Sequence, residues 1–197
     1  MPRKLRPEIP GAFFHTFARG NVQLPLFLDA TDYEAWLQML ARTVEGFAWR
    51  CHAYCAMPNH FHVLVETPEP TRSAGMRHLN GSYAQRFNEK YAGSGHVFQG
   101  RYGANLIESD EQFLETCRYI VLNPVRAGIC AAPDEWRWSS YRATAGFTQP
   151  PTFLTVDAVL EMFATDPRKA QARYRQFVSD GQVQGPGPER IRHGSLA

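Results

Sequence analysis

Aromatic and β-branched residues gather first at Phe13-Phe14-His15-Thr16-Phe17-Ala18, a run closed by Arg19-Gly20-Asn21, and this predicts a strand followed by a turn. After Leu24 to Leu28, the apolar residues Tyr33, Trp36, Leu37, Leu40 and Val44 recur at helical spacing, with Asp29 or Thr31 as the cap and Gly46 as the end. Phe47 to Ala56 predicts a second strand. A tight Met57-Pro58-Asn59 turn then feeds His60-Phe61-His62-Val63-Leu64-Val65-Glu66, so the two strands form a hairpin. Pro68-Glu69-Pro70 breaks the alternation, and Met76, Leu79, Tyr83, Phe87 and Tyr91 mark the stripe of a second long helix ended by Gly93-Ser94-Gly95. His96 to Ile107 predicts a strand weakened at Gly100, where a backbone or ligand can approach closely. Ser109 or Asp110 caps a third helix that runs to about Leu122, with Asn123-Pro124 as its stop.

The succession βαββαβ with a further helix implies an α+β fold: a ferredoxin-like (RRM-like) antiparallel sheet with helices on one face and an extra helix after it. This unit takes up residues 1–146. Pro150-Pro151 marks a break, after which Val156 to Phe163 and Pro167 to Val178 predict two helices, a C-terminal extension over 147–180. From Gly181 the composition, including Gly185-Pro186-Gly187-Pro188, is that of a disordered tail, 181–197.

Composition narrows the class. A chain of 197 residues with 44% hydrophobic and 20% charged residues is a soluble globular protein able to bury one substantial core. No run approaches the roughly 18 apolar residues of a membrane span, and Arg3, Lys4 and Arg6 precede no signal-peptide core, so a cytoplasmic protein with no membrane partner is expected. Cys51, Cys55, Cys117 and Cys130 form no C-x-x-C pair, which argues against structural zinc, and Cys51 and Cys55 read as small buried hydrophobes. The net charge of +2 hides a segregation: Arg72, Arg77, Arg86, Lys90 and Arg101 face only Glu89 between residues 71 and 105, whereas residues 106–135 are acidic. Such a basic segment is either a solvated face or a surface for a polyanion.

Two places carry candidate chemistry. On the predicted strand, His60 and His62 share one face while Phe61 and Val63 take the other, so the imidazoles are either a metal-ligand pair or two half-buried, hydrogen-bonded histidines. On the third helix, Tyr119 and Asn123 are four residues apart and share a polar face with Glu115 and Thr116, while Phe113, Cys117, Ile120 and Val121 turn to the core. Of the remaining histidines, His52 lies across the hairpin and is read as a packing residue, and Glu66 as a charge at a strand end.

Three separated motifs carry a resemblance: Pro58-Asn59-His60-Phe61-His62, then Gly95-His96-Val97-Phe98-Gln99-Gly100-Arg101-Tyr102, then Tyr119 through Ala127. Over residues 12–145 the chain resembles the single-tyrosine transposases of the His-hydrophobe-His superfamily, and most closely their REP-associated branch. The resemblance implies a catalytic domain over 1–146, with His60 and His62 as metal ligands, Tyr119 as nucleophile and Asn123 as the third ligand. It implies Mg²⁺ or Mn²⁺ as cofactor and single-stranded or hairpin DNA as partner, for a monomer or homodimer. The activity implied is cleavage and rejoining of palindromic DNA through a 5′-phosphotyrosine. A noncatalytic hairpin-binding regulator on the same scaffold and a nuclease using activated water are the alternatives. Arg72, Arg77, Arg86, Lys90 and Arg101, with Arg3, Lys4 and Arg6 on an N-terminal arm, are the expected phosphate contacts.

Overall fold

The computed structural model describes residues 8–183 and bears out the predicted order. The strands are β1 (Ala12–Arg19), β2 (Arg50–Met57), β3 (His60–Thr67) and β4 (Gly103–Ile107), with α1 (Ala30–Gly46) and α2 (Arg72–Lys90) between them and α3 (Asp110–Arg126) after them. The sheet has the order β2-β3-β1-β4 with every neighbouring pair antiparallel. Each βαβ connection therefore straddles a third strand, the ferredoxin-like plan.

Residues directly opposite in an antiparallel pair project to the same side, so the register sorts the two faces. Phe14, Ala18, Tyr54, Phe61, Val63 and Val65 meet Trp36, Leu40 and Val44 of α1 and Met76, Leu79 and Tyr83 of α2. Ala53, Cys55, Met57, Leu64 and Ile107 point the other way, onto Phe113, Cys117, Ile120 and Val121 of α3. The extra helix thus covers the face that α1 and α2 leave open. Two single-turn helices, α4 (Tyr141–Thr144) and α5 (Asp157–Leu160), lead to α6 (Pro167–Val183), whose Ala170, Tyr174 and Val178 join the α3 core. The predicted tail begins inside this helix, and its remainder, like Arg3, Lys4 and Arg6, lies outside the described residues.

Three boundaries differ from the pattern. β2 starts at Arg50, because Phe47, Ala48 and Trp49 close the end of α1: Ala48 takes φ 50° and the Trp49 N–H donates to the Val44 carbonyl at 2.8 Å. The Trp49 ring then fills the space where a Cβ on Gly75 would stand, 2.2 Å away, so these aromatics serve helix packing. β4 starts at Gly103, and residues 96–102 instead loop past the end of β1, tied by Asn21 N–H to Val97 O and Gln99 N–H to Arg19 O, both 2.9 Å. The close approach expected at Gly100 occurs at Gly103, where a Cβ would lie 2.1 Å from the Phe17 ring; nothing lies within 4 Å of one at Gly100.

Pro124 does not stop α3. A proline lacks the N–H that would bond four residues back, but in the last turn this costs one hydrogen bond and the helix continues to Arg126. It ends where Gly128, at φ 67°, lets its own N–H reach Val125 O and the Ile129 N–H reach Pro124 O. That extra turn keeps Asn123 in helical phase with Tyr119 and adds Arg126 to the same side. At the other end, the Ser109 hydroxyl accepts from the Gln112 N–H, and Asp110 and Glu111 favour the helix dipole.

Candidate active site

On the histidine face, β3 places His60 and His62 two residues apart, and β1 sets Arg19 opposite His60 and Phe17 opposite His62. His15, one step further along β1, reaches His62: its Nε2 lies 2.9 Å from His62 Nδ1. His60 Nδ1 meets Asn59 Oδ1 at 2.7 Å. Each member of the pair thus has one ring nitrogen oriented by a neighbour, which is how metal-bound histidines are commonly held.

The α3 face approaches this pair within a single chain. The Tyr119 ring stands edge-on to His62 at 5.5 Å and to His15 at 5.8 Å between centroids. Asn123 Nδ2 donates to the Tyr119 carbonyl at 2.8 Å, and the Asn123 side chain is also a hydrogen-bond partner of the His60 ring. Tyr119 and Asn123 are half-buried, and the Tyr119 phenol oxygen makes no hydrogen bond among the described residues. The four residues expected to form one site are therefore brought together.

Burial lowers the pKa of His15 to about 4. Burial and the nearby charge of Arg19 bring His60 to about 4, against an Asn123 hydrogen bond that works the other way. His62 is pushed well below the ordinary range by burial, then by His15, His60 and Arg19. All three imidazoles are neutral at pH 7, the form that donates a lone pair to a metal. Among the described residues no group of three or more His, Cys, Asp or Glu side chains is arranged to hold a metal ion, so an ion here would depend on Asn123 as the third protein donor.

The basic segment is divided. Arg72 is 3% exposed, and its guanidinium pairs with Glu8 at 3.5 Å and covers the Phe14 ring at 4.0 Å, so its charge is turned into the fold and away from solvent. Lys90 sits 2.7 Å from both Asp29 and Asp32, and Arg86 is 3.5 Å from Asp32. Arg86 and Lys90 thus tie α2 to α1 and Arg72 ties α2 to β1, while Arg77 and Arg101 remain exposed. His52 lies at a register shift in β2, against the Phe13 and Phe113 rings, away from the histidine pair as expected. Glu66 pairs with Arg50 at 2.6 Å. Sequence reasoning missed His15 and Arg19. Their relation to the pair depends on the β1–β3 register, and the one local signal was that His15, Phe17 and Arg19 alternate onto a common face.

Residues 15–123 match the family model described as "Transposase IS200 like", and the chain belongs to the IS200-like transposase family. It is 28% identical over 124 residues to a Haemophilus influenzae protein named "Putative REP-associated tyrosine transposase", covering 56% of this chain and 70% of that one. Its fold is similar to a solved REP-associated tyrosine transposase bound to a REP hairpin, with a TM-score of 0.64 at 18% identity, covering 79% of this chain and 92% of that one. Among the described residues no helix is long and apolar enough to cross a membrane.

Proposed function

We propose that this transposase is a metal-dependent single-strand DNA endonuclease and strand transferase, which cleaves and rejoins hairpin or palindromic DNA through a 5′-phosphotyrosine. The observation that carries the reading is the convergence of Tyr119 and Asn123 with His60 and His62 in one chain, beside a phenol oxygen left uncommitted. The REP hairpin bound to the structural neighbour agrees with a hairpin substrate here.

The donor set fits a divalent cation such as Mg²⁺ or Mn²⁺. His60 and His62 each offer a ring nitrogen, and Asn123, whose amide nitrogen is engaged by the Tyr119 carbonyl, offers its amide oxygen. Such a neutral shell holds an ion weakly and leaves room for phosphate oxygens. When bound, the ion polarises the scissile phosphate and stabilises the charge that builds up in the transition state.

The chain's own residues supply the rest. Tyr119 Oη attacks phosphorus; the new O–P bond joins the phenol to the 5′ phosphate while the P–O3′ bond breaks. The phenolic proton passes to solvent and the departing 3′ oxygen takes one up, leaving a 3′ hydroxyl. Because the phosphotyrosine keeps the energy of the diester, a second 3′ hydroxyl can reverse the step and rejoin strands without a nucleotide cofactor. His15 holds the His62 ring, Asn59 holds the His60 ring, and the half-buried packing of Tyr119 fixes its line of approach.

The test is a labelled hairpin oligonucleotide taken from palindromes flanking the gene, incubated with Mn²⁺ or Mg²⁺. A covalent adduct that disappears with Tyr119→Phe and with chelator is the expected result. Cleavage without an adduct would point to a water-activating nuclease, and binding without cleavage to a regulatory protein; either overturns the proposal.

A further inference from the structure

The arginines and lysines of this fold divide into those with an acidic partner and those without. Arg50 meets Glu66, Arg72 meets Glu8, Arg86 and Lys90 meet Asp32, Arg118 meets Glu115 and Arg137 meets Glu34. Arg19 and Arg126 make no side-chain hydrogen bond or ion pair among the described residues, and both are exposed. Both also stand at the site. Arg19 is the last residue of β1 and the cross-strand neighbour of His60. Arg126 follows Tyr119 and Asn123 by helical spacing of four and then three, so the three side chains share one side of α3, and its Cζ lies 5.5 Å from the Tyr119 ring centroid.

That arrangement is unusual for cations placed only for stability. At 5.5 Å the contact of Arg126 with the tyrosine ring is near the outer limit of a useful cation–π interaction. Its position in the last turn of α3 lets the helix dipole favour its charge, and Glu115 on the same helix adds to this without pairing with it. Arg19 stands beside two buried imidazoles that its charge helps to keep neutral, and nothing anionic in the described chain offsets it. A strand end and a helix end therefore each bring a guanidinium to the site with its five donors free, a geometry matched to phosphate oxygens.

We infer that Arg19 and Arg126 form a two-arginine phosphate clamp, in which Arg126 takes the non-bridging oxygens of the phosphate that Tyr119 attacks and Arg19 takes the adjacent phosphate on the His60 side. The clamp rests on the strand-transfer reading and deepens it, because it states which residues seat the backbone of the single strand.

The test compares Arg19→Ala, Arg126→Ala and Arg126→Lys on the same hairpin oligonucleotide, measuring the adduct-forming rate at saturating DNA and the affinity across a salt series. Arg126→Ala is expected to slow the adduct rate about 100-fold with affinity nearly unchanged, and Arg126→Lys to recover part of it, since lysine keeps the charge but loses the fork. Arg19→Ala is expected to weaken binding and to reduce the slope of log affinity against log salt by about 0.7, the value of one phosphate contact on a single strand. Unchanged rate for Arg126→Ala together with an unchanged slope for Arg19→Ala overturns the clamp while wild-type adduct formation leaves the strand-transfer reading standing. If wild type forms no adduct, that reading fails, and the salt slope of Arg19→Ala still decides whether that arginine holds phosphate.

Discussion

The two faces of the sheet are both covered by helices, yet they treat polar groups differently. On the α1–α2 side, buried charge is closed within the chain, with Asp32 accepting from Lys90 and Tyr91; Thr43 also meets His78 and the Trp49 indole donates to Thr71, although Trp36 Nε1 and Asn80 Oδ1 are left without a partner among the described residues. On the α3 side, a polar chain runs from Asn59 through His60 and Asn123, with His15 and His62 beside it, and ends at groups with nothing further to bond: the Tyr119 phenol and two guanidiniums. A closed set stabilises the protein; an open set keeps bonding capacity that the fold does not use. The same sheet therefore commits its polar groups to the fold on one side and leaves them available on the other.

The most severe way to break this contrast is Tyr119→Phe. It should reduce adduct formation by about 10⁴-fold or more while leaving the unfolding midpoint close to wild type, because the missing oxygen holds no bond in the fold. A large loss of stability in that variant would show that the phenol belongs to the closed set.

Acid should separate the faces next. His15 and His60 titrate near 4 in the folded chain against an ordinary value of 6.5, so between those values the unfolded chain binds more protons. Stability then rises with pH through this window and is lost as the pH falls through it, on the order of 3 kcal/mol for the metal-free protein. Urea midpoints in chelator at pH 7 and pH 5 read it directly; a flat profile would mean the imidazoles are not buried as neutral groups.

Two glycines sharpen the comparison by equal insults. A Cβ on Gly75 meets the Trp49 ring at 2.2 Å and one on Gly103 meets the Phe17 ring at 2.1 Å, so alanine at either position should cost about 1–3 kcal/mol. Only Gly103→Ala should also slow adduct formation, because the displaced Phe17 ring lies 5.9 Å from His62. Equal activity in the two variants would remove Phe17 from the site. The smallest effect expected is that of Lys90→Ala, a slight loss of stability because the ion pair of an exposed lysine is screened by solvent, with DNA affinity within about twofold of wild type since this charge is already used. Asp32, which burial alone would push up, is held below the ordinary carboxylate range by Lys90, Tyr91 and the Leu28 N–H, and the variant removes one of these.

What was legible in the sequence follows from which rules act locally. His60 and His62 were visible because strand alternation puts them on one face, and Tyr119 and Asn123 because helical spacing does the same. Joining the two sets required the resemblance, since no local rule places a helix over a chosen face. His15 and Arg19 become neighbours of the pair only once the pairing of Arg19 with His60 is fixed. The charge cluster misled for a related reason: Arg72 and Lys90 look alike along the chain, and only the packing of Phe14, Glu8 and Asp32 shows that both are consumed internally. Pro124 misled because a stop signal has little force within a turn of where the helix ends anyway.

One feature of the C-terminal segment bears on how the tyrosine can be used. α3 is covered on its far side by α6: Arg118 lies 4.3 Å over the Phe177 ring and donates to the Phe177 carbonyl at 3.3 Å, while Tyr174 and Val178 share a core with Cys117 and Ile120. A helix wedged in this way cannot be lent to another molecule without tearing two apolar seams at once. Tyr119 is thus riveted in place rather than carried on a swinging arm, and shortening the chain before α6 would loosen it as surely as a change beside the residue itself.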